Sequence, residues 1–411
     1  MKLLKLGAIA LASLLGVALT SSAPAAPGSI QPIQRFGDVY AMSVCGLTSP
    51  RGVAHCYAKV VTDVRGNILD GFPAEKMRRS RLVTPSGYGP SDLWSAYGIS
   101  PAKGAPGSGP TIAIVDAYGY TNAEADLATY RTQFGLGSCT TANGCFKKVN
   151  QNGVAGSYPR VDVGWGQEQA LDLDMASAMC PNCKILLVQA KDAYSNDLAA
   201  AVNTAAKLGA VAISNSYGGS EAGSNSYESA YNHPGIAITV SSGDYGYGVQ
   251  FPASSPHVVA VGGTTLRRAG SSWSETAWSG AGSGCSAIYG ILANTQSSAT
   301  TGCPNRAVAD VSAVADPSTG VAVYGPATRS RSGWMVFGGT SVAAPLIGGV
   351  YALAHDTTGV PTTKLYSAPS SALRDITSGS NGSCPTTQWC NARAGWDGPT
   401  GLGSPQGTSA F

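Results

Sequence analysis

The 411-residue chain carries 26 Lys and Arg against 23 Asp and Glu, a formal net charge of +3, and only 12% of its residues are charged. A balance so close to neutral argues against nucleic-acid binding by phosphate neutralisation. A low density of ionising groups also limits self-repulsion when the solvent turns acid, and ten cysteines favour an oxidising compartment over the cytosol.

Residues 1–25 read as an export signal: Lys2 and Lys5 precede the apolar run Leu6 to Leu19, and Ala23-Pro24-Ala25 offers a small-residue cleavage site. No other uninterrupted apolar stretch is long enough to span a bilayer. The mature chain is therefore expected to be secreted and extracellular, off the membrane once the signal is removed, and is taken as a monomer. Residues 26–83 form a short prosegment or N-terminal extension. They hold one cysteine pair and end in the basic cluster Lys76-Met77-Arg78-Arg79-Ser80-Arg81, a candidate exposed processing linker.

From Thr84 short apolar runs alternate with helical patterns. Thr111 to Val115 reads as a buried strand and Asn122 to Phe134 as a helix capped by Thr121 or Asn122. A helix from Glu168 to Met179 follows, then a strand Ile185 to Val188, a helix Asp197 to Leu208, and a strand Val211 to Ile213. Tyr227 to Tyr231 reads as a short helix and Ile236 to Val240 as a strand. Gly and Ser enrichment over 271–302 reads as an irregular surface excursion. Strands that are apolar throughout, separated by helices of this length, imply a parallel sheet covered on both faces, so the fold class is α/β.

The cysteines fall into neighbouring pairs: Cys45 with Cys56, Cys139 with Cys145, Cys180 with Cys183, Cys285 with Cys303, and Cys384 with Cys390. Local disulfides are the simplest account, although spacing alone does not fix connectivity. Cys180-Pro181-Asn182-Cys183 has no second CxxC and no histidine at metal spacing, which favours a structural disulfide over a zinc or thioredoxin-like role.

Chemistry concentrates late in the chain. Gly338-Gly339-Thr340-Ser341 leads into the apolar run Leu346 to Leu353, so Ser341 is expected at the N-terminus of a packed helix, where backbone amides favour a developing oxyanion; a Gly-Thr-Ser turn can equally cap a helix. A serine hydroxyl needs a base. Neither His55, His233, His257 nor His355 stands in a His-Gly-Thr setting, so a Ser-His-Asp triad is disfavoured even though Asp116, at a strand end, resembles its acid. Carboxylates serve better. Glu168 and Asp172 are four apart on one helix face, where like charges raise one pKa and allow a shared proton. Asp244, in Ser-Gly-Asp-Tyr-Gly directly after the strand ending at Val240, sits where α/β proteins place functional groups, though it could instead stabilise its own turn.

In that order, Glu168-x-x-x-Asp172, Ser-Gly-Asp244-x-Gly and Gly-Thr-Ser341-x-x-x-Pro345 resemble the sedolisins, serine-carboxyl peptidases of subtilisin-like fold. The resemblance spans roughly 84–411 and includes Pro90 to Ile99, Ser214 to Gly218, and Phe251 to Pro256. It implies a subtilisin-like three-layer fold with a mostly parallel central sheet, acting on polypeptide substrates as an acid endopeptidase. Ser341 would be the nucleophile, Glu168 the base and then acid, Asp172 its partner, and Asp244 a protonated oxyanion donor, with activity expected at about pH 3 to 5. One structural calcium ion is implied at Asp375 and Asp397 with the carbonyls of Ile376, Arg393 and Gly395. The short N-terminal segment departs from the large prosegment usual in that family. The rival reading is an inactive secreted binding protein on a peptidase scaffold.

Overall fold

The computed structural model describes residues 32–47, 50–69, 85–101, 104–356 and 359–411. The expected export signal and the basic cluster at 76–81 lie outside the described residues. Gln31–Phe411 form one compact unit.

The strand expected near Thr111 is Thr111–Ala117, which we call β5 because four short strands precede it: Gln34–Phe36 (β1), Val39–Ser43 (β2), His55–Cys56 (β3) and Lys59–Thr62 (β4). Ile112 and Ile114 of β5 join one buried cluster, while Ala113, Val115 and Ala117 join another. That alternation is the reason the strand is apolar from Ile112 to Val115: successive side chains point to opposite faces, and both faces are covered.

Five further strands continue this layer. They are Phe146–Asn150 (β6), Lys184–Ala190 (β7), Ala212–Asn215 (β8), Ala237–Ser241 (β10) and Val259–Ala269 (β11), with the two-residue β9 (Tyr217–Gly218) just outside it. They run in the order β11-β10-β8-β5-β7-β6, every neighbouring pair parallel. Ser272–Ala277 (β12) adds an antiparallel edge on the far half of β11. The excursion expected over 271–302 therefore begins as an ordered hairpin, because alternating residues of β12 pack against β11. Within the same stretch lie Gly284–Cys285 (β13) and a one-turn helix at Ser298–Thr301.

Helices cover the sheet. Val163–Met179 packs with Thr340–Ala354 on the Ile112 face, and Ser195–Lys207 lies on the Ala113 face. The first of these starts five residues before the expected Glu168, because Asp162 caps it by accepting from the Trp165 amide at 3.0 Å. This is the expected three-layer, subtilisin-like α/β architecture.

A second, antiparallel sheet carries the N-terminal residues into the same body. Its order is β1, β2, β4, then Arg331–Gly338, then Val321–Thr328. The strand at Arg331–Gly338 runs straight into Gly339 and the helix bearing Ser341. All five neighbouring cysteine pairs are disulfides, and no cysteine is free.

Candidate active site

Ser341 is the second residue of its helix and wholly buried. The turn before it depends on Gly339, at φ +101°, where an added Cβ would stand 2.0 Å from the carbonyl oxygen of Tyr57 and 2.7 Å from Asp244 Oδ2. Only glycine admits both the dihedral and the approach. The Ser341 hydroxyl donates to the Ser216 carbonyl at 3.3 Å.

Glu168 and Asp172 project from successive turns of the same helix and are also wholly buried. Glu168 Oε2 accepts from the Ala58 amide at 2.9 Å, and Asp172 Oδ1 accepts from the Ser216 hydroxyl at 2.8 Å. Their other oxygens, Glu168 Oε1 and Asp172 Oδ2, are buried without a hydrogen-bond partner among the described residues. Burial holds the Glu168 carboxyl well above the ordinary range and the Asp172 charge adds to it, while the nearby Ser341 hydroxyl and the Ala58 amide pull it back. Asp172 is raised by burial first and then by Asp116.

Asp116 was considered from the sequence only as the acid of a disfavoured triad, yet it belongs to this cluster. It lies near the end of β5, wholly buried, with both carboxyl oxygens unpartnered among the described residues. Burial and the charge of Glu168 push its titration up. The available signal was a carboxylate in an otherwise apolar strand.

Asp244 follows β10 and turns toward the same point. Its Oδ1 accepts from the Thr340 amide at 2.8 Å and the Thr340 hydroxyl at 2.9 Å, leaving Oδ2 buried without a hydrogen bond among the described residues. Burial raises its pKa to about 6 against the opposing pull of Lys59, whose ammonium stands 3.9 Å away. Lys59 is itself wholly buried. A neutral Asp244 has a proton to donate on the side facing Gly339, and an ionised one has none.

The histidines are engaged differently. His233 bonds Asn203 at 2.9 Å, His257 pairs with Glu228 at 2.6 Å, and His355 ends the serine helix at the opposite end from Ser341. His55 stands edge-on to Tyr57 at 5.1 Å between ring centroids.

The residues expected to hold calcium gather at a second place. The Gly395 amide donates to Asp375 Oδ2 at 2.9 Å, the Arg393 amide to Asp397 Oδ2 at 3.1 Å, and Thr400 to Asp397 Oδ1 through both amide and hydroxyl. Asp397 is wholly buried, and burial together with the Asp375 charge lifts it to about 7 even with these donors. Two carboxylates close enough for the Asp375 charge to act on a buried Asp397 are oxygen donors that suit a hard cation, whose charge would relieve both burial and repulsion.

Fold and site together define a subtilisin-like scaffold in which buried carboxyls stand where a histidine would be sought. The Subtilase family profile matches residues 153–365. Kumamolisin of Bacillus sp. (strain MN-32) is 31% identical over 80% of this chain, and sedolisin of Pseudomonas sp. (strain 101) is 29% identical over 87%. The chain spans 64% and 68% of those relatives' lengths. A solved structure of Pseudomonas sedolisin, described as a serine-carboxyl proteinase complexed with two molecules of pseudo-iodotyrostatin, superposes with a TM-score of 0.66 at 28% identity, covering 79% of this chain and 96% of that one. The chain belongs to the Subtilase family and, within it, to the sedolisins.

Proposed function

We propose that this protein is a secreted serine-carboxyl endopeptidase that hydrolyses polypeptides in acid. The observation that supports the reading is a wholly buried Glu168 that has the Ser341 hydroxyl beside it and feels the charges of both Asp172 and Asp244. Glu168 takes the Ser341 proton as the oxygen attacks a peptide carbonyl, and returns it to the leaving amine. Asp172 shares charge with Glu168 and keeps it basic enough to accept. Protonated Asp244 donates to the oxyanion, a role that confines activity to acid.

The five disulfides support an extracellular address. Residues 26–83 would serve as a prosegment or N-terminal extension ahead of a peptidase domain at 84–411, and the enzyme would act as a monomer. One calcium ion would be held by Asp375, Asp397 and the carbonyls of Ile376, Arg393 and Gly395, clamping the two C-terminal loops. Casein digestion at about pH 4 by the wild type and by Ser341→Ala tests the core of the reading. Digestion by the wild type alone is expected. Equal digestion by both removes Ser341 from its role, and digestion by neither leaves a binding protein on this scaffold.

A further inference from the structure

An oxyanion donor works only from a fixed position, and the turn that carries Asp244 does not stand alone. The residues after β10 run beside 280–283, the segment between β12 and β13. Three main-chain hydrogen bonds join the two: the Gly282 amide donates to the Gly243 carbonyl at 2.8 Å, the Gly246 amide to the Gly280 carbonyl at 2.9 Å, and the Gly248 amide to the Ser283 carbonyl at 2.8 Å. A Cβ on Gly282 would stand 2.1 Å from the Ser242 carbonyl oxygen, so the two segments touch backbone to backbone.

Behind 280–283 lies Asn381, whose side chain is buried. Its Nδ2 donates both to the Ala281 carbonyl at 2.6 Å and to the Ser283 hydroxyl at 2.7 Å. A carbonyl only accepts, so the contact with Ala281 fixes which way the amide points. The Ser283 hydroxyl passes its own proton on to the Trp389 carbonyl. Asn381 is held through its main chain as well: its amide donates to the carbonyl of Cys390, which is disulfide-bonded to Cys384. A Cβ on Gly246 would fall 2.4 Å from the Asn381 carbonyl oxygen, so the same residue also meets the Asp244 turn directly. Burial of a side-chain amide costs free energy that its hydrogen bonds must offset. Here both of those bonds go to one short segment 100 residues earlier in the chain, on either side of the glycine that is bonded to the neighbour of Asp244.

We propose that Asn381 is a positioning residue for the oxyanion donor: it clamps 281–283, which fixes Gly243 and through it the Asp244 carboxyl against Thr340. The inference rests on the peptidase reading above and on the role given there to Asp244. Asn381 acts through Asp244 and does not act on the substrate. Without the clamp the turn is free to shift, and a displacement of about 1 Å near reacting atoms can cost as much as a hundredfold in rate. Because an oxyanion donor is used in the transition state, the loss falls on kcat and spares KM.

A double-mutant cycle on the full chain tests this. It measures kcat and KM on a fluorogenic peptide at about pH 4 for the wild type, Asn381→Ala, Asp244→Ala and the double variant, with Ser341→Ala as the blank and melting curves alongside. Asn381→Ala is expected to lose roughly ten- to a hundredfold in kcat with KM little changed. In the Asp244→Ala background the same substitution should cost less than about twofold, since the group it positions is gone. Ser283→Ala removes one of the two acceptors and is the milder perturbation should Asn381→Ala not fold; it should lose roughly threefold, again only while Asp244 is present. Equal losses in the two backgrounds overturn the inference, as do a loss confined to KM and a kcat for Asn381→Ala within about twofold of wild type. Each of these leaves the peptidase reading intact as long as the wild type cuts the peptide and Ser341→Ala does not. A wild type that cuts nothing overturns that reading and this inference together.

Discussion

Asp244 is where burial and chemistry can be separated by one atom. With a titration point at about 6, it is about 99% protonated at pH 4 and about a tenth protonated at pH 7. Removal of one preorganised oxyanion donor costs roughly a hundred- to a thousandfold in kcat, so Asp244→Ala should lose that much at pH 4. Asp244→Asn keeps a neutral donor at the position of Oδ2 while its oxygen still accepts from Thr340, and it cannot titrate. Its rate relative to the wild type should therefore climb about tenfold between pH 4 and pH 7, as the wild type sheds its proton. The same proton sets a stability slope. The folded chain retains it between the usual 3.8 and about 6, so the contribution is whole below that window and is lost as pH rises through it, roughly 3 kcal/mol at ~1.4 kcal/mol per pH unit. The assay is kcat/KM on a fluorogenic peptide from pH 3 to 8, as a pH series for wild type, Ala and Asn, with melting curves alongside. Superimposable alkaline limbs for wild type and Asn, or an Ala variant within about threefold of wild type at pH 4, would refute the assignment.

Two further outcomes follow from other places in the molecule. Gly339→Ala should destabilise the fold by more than about 3 kcal/mol, since it adds a positive-φ penalty to a clash with the Tyr57 carbonyl; a melting temperature within about 2 °C of wild type would contradict this. A calcium chelator should lower the melting temperature by roughly 3 °C if the ion is held at a hundred times its Kd. Asp397→Asn should abolish that response, and an unchanged midpoint in chelator would remove calcium from these loops.

Much of this was legible because local chemistry and fold agree. Glu168 and Asp172, one turn apart in a helix, announce a shared face, and Ser341 after paired glycines announces a constrained turn. The all-apolar strands announced a sheet covered on both sides. Asp116 was harder, because a lone carboxylate at a strand end gives no sign of which like charges will share its pocket. The placement of residues 55–60 was not legible at all. Val60 and Val61 are residue types that suit a strand, but the pairing of Lys59 and Val60 with Gly338 and Phe337 is fixed only by the assembled fold. Lys59 misleads in the same way: a lysine is ordinarily a surface residue, yet here its ammonium is sealed beside Asp244 with Ser43 and Gln34 as partners.

The antiparallel sheet that joins β4 to the strand leading into Ser341 has a mechanical consequence. While β4 is in place, the main-chain groups of Phe337 and Gly338 on that side are paired and unavailable. Withdrawal of β4 would turn the same strand into an open border of N–H and C=O groups next to the nucleophile, and any extended chain can pair with such a border whatever its side chains. Selection on the side of Ser341 that β4 covers would then be made mostly by backbone shape, and discrimination between sequences would fall to the pocket on the other side, where glycine at position 218 leaves room for the Tyr57 ring.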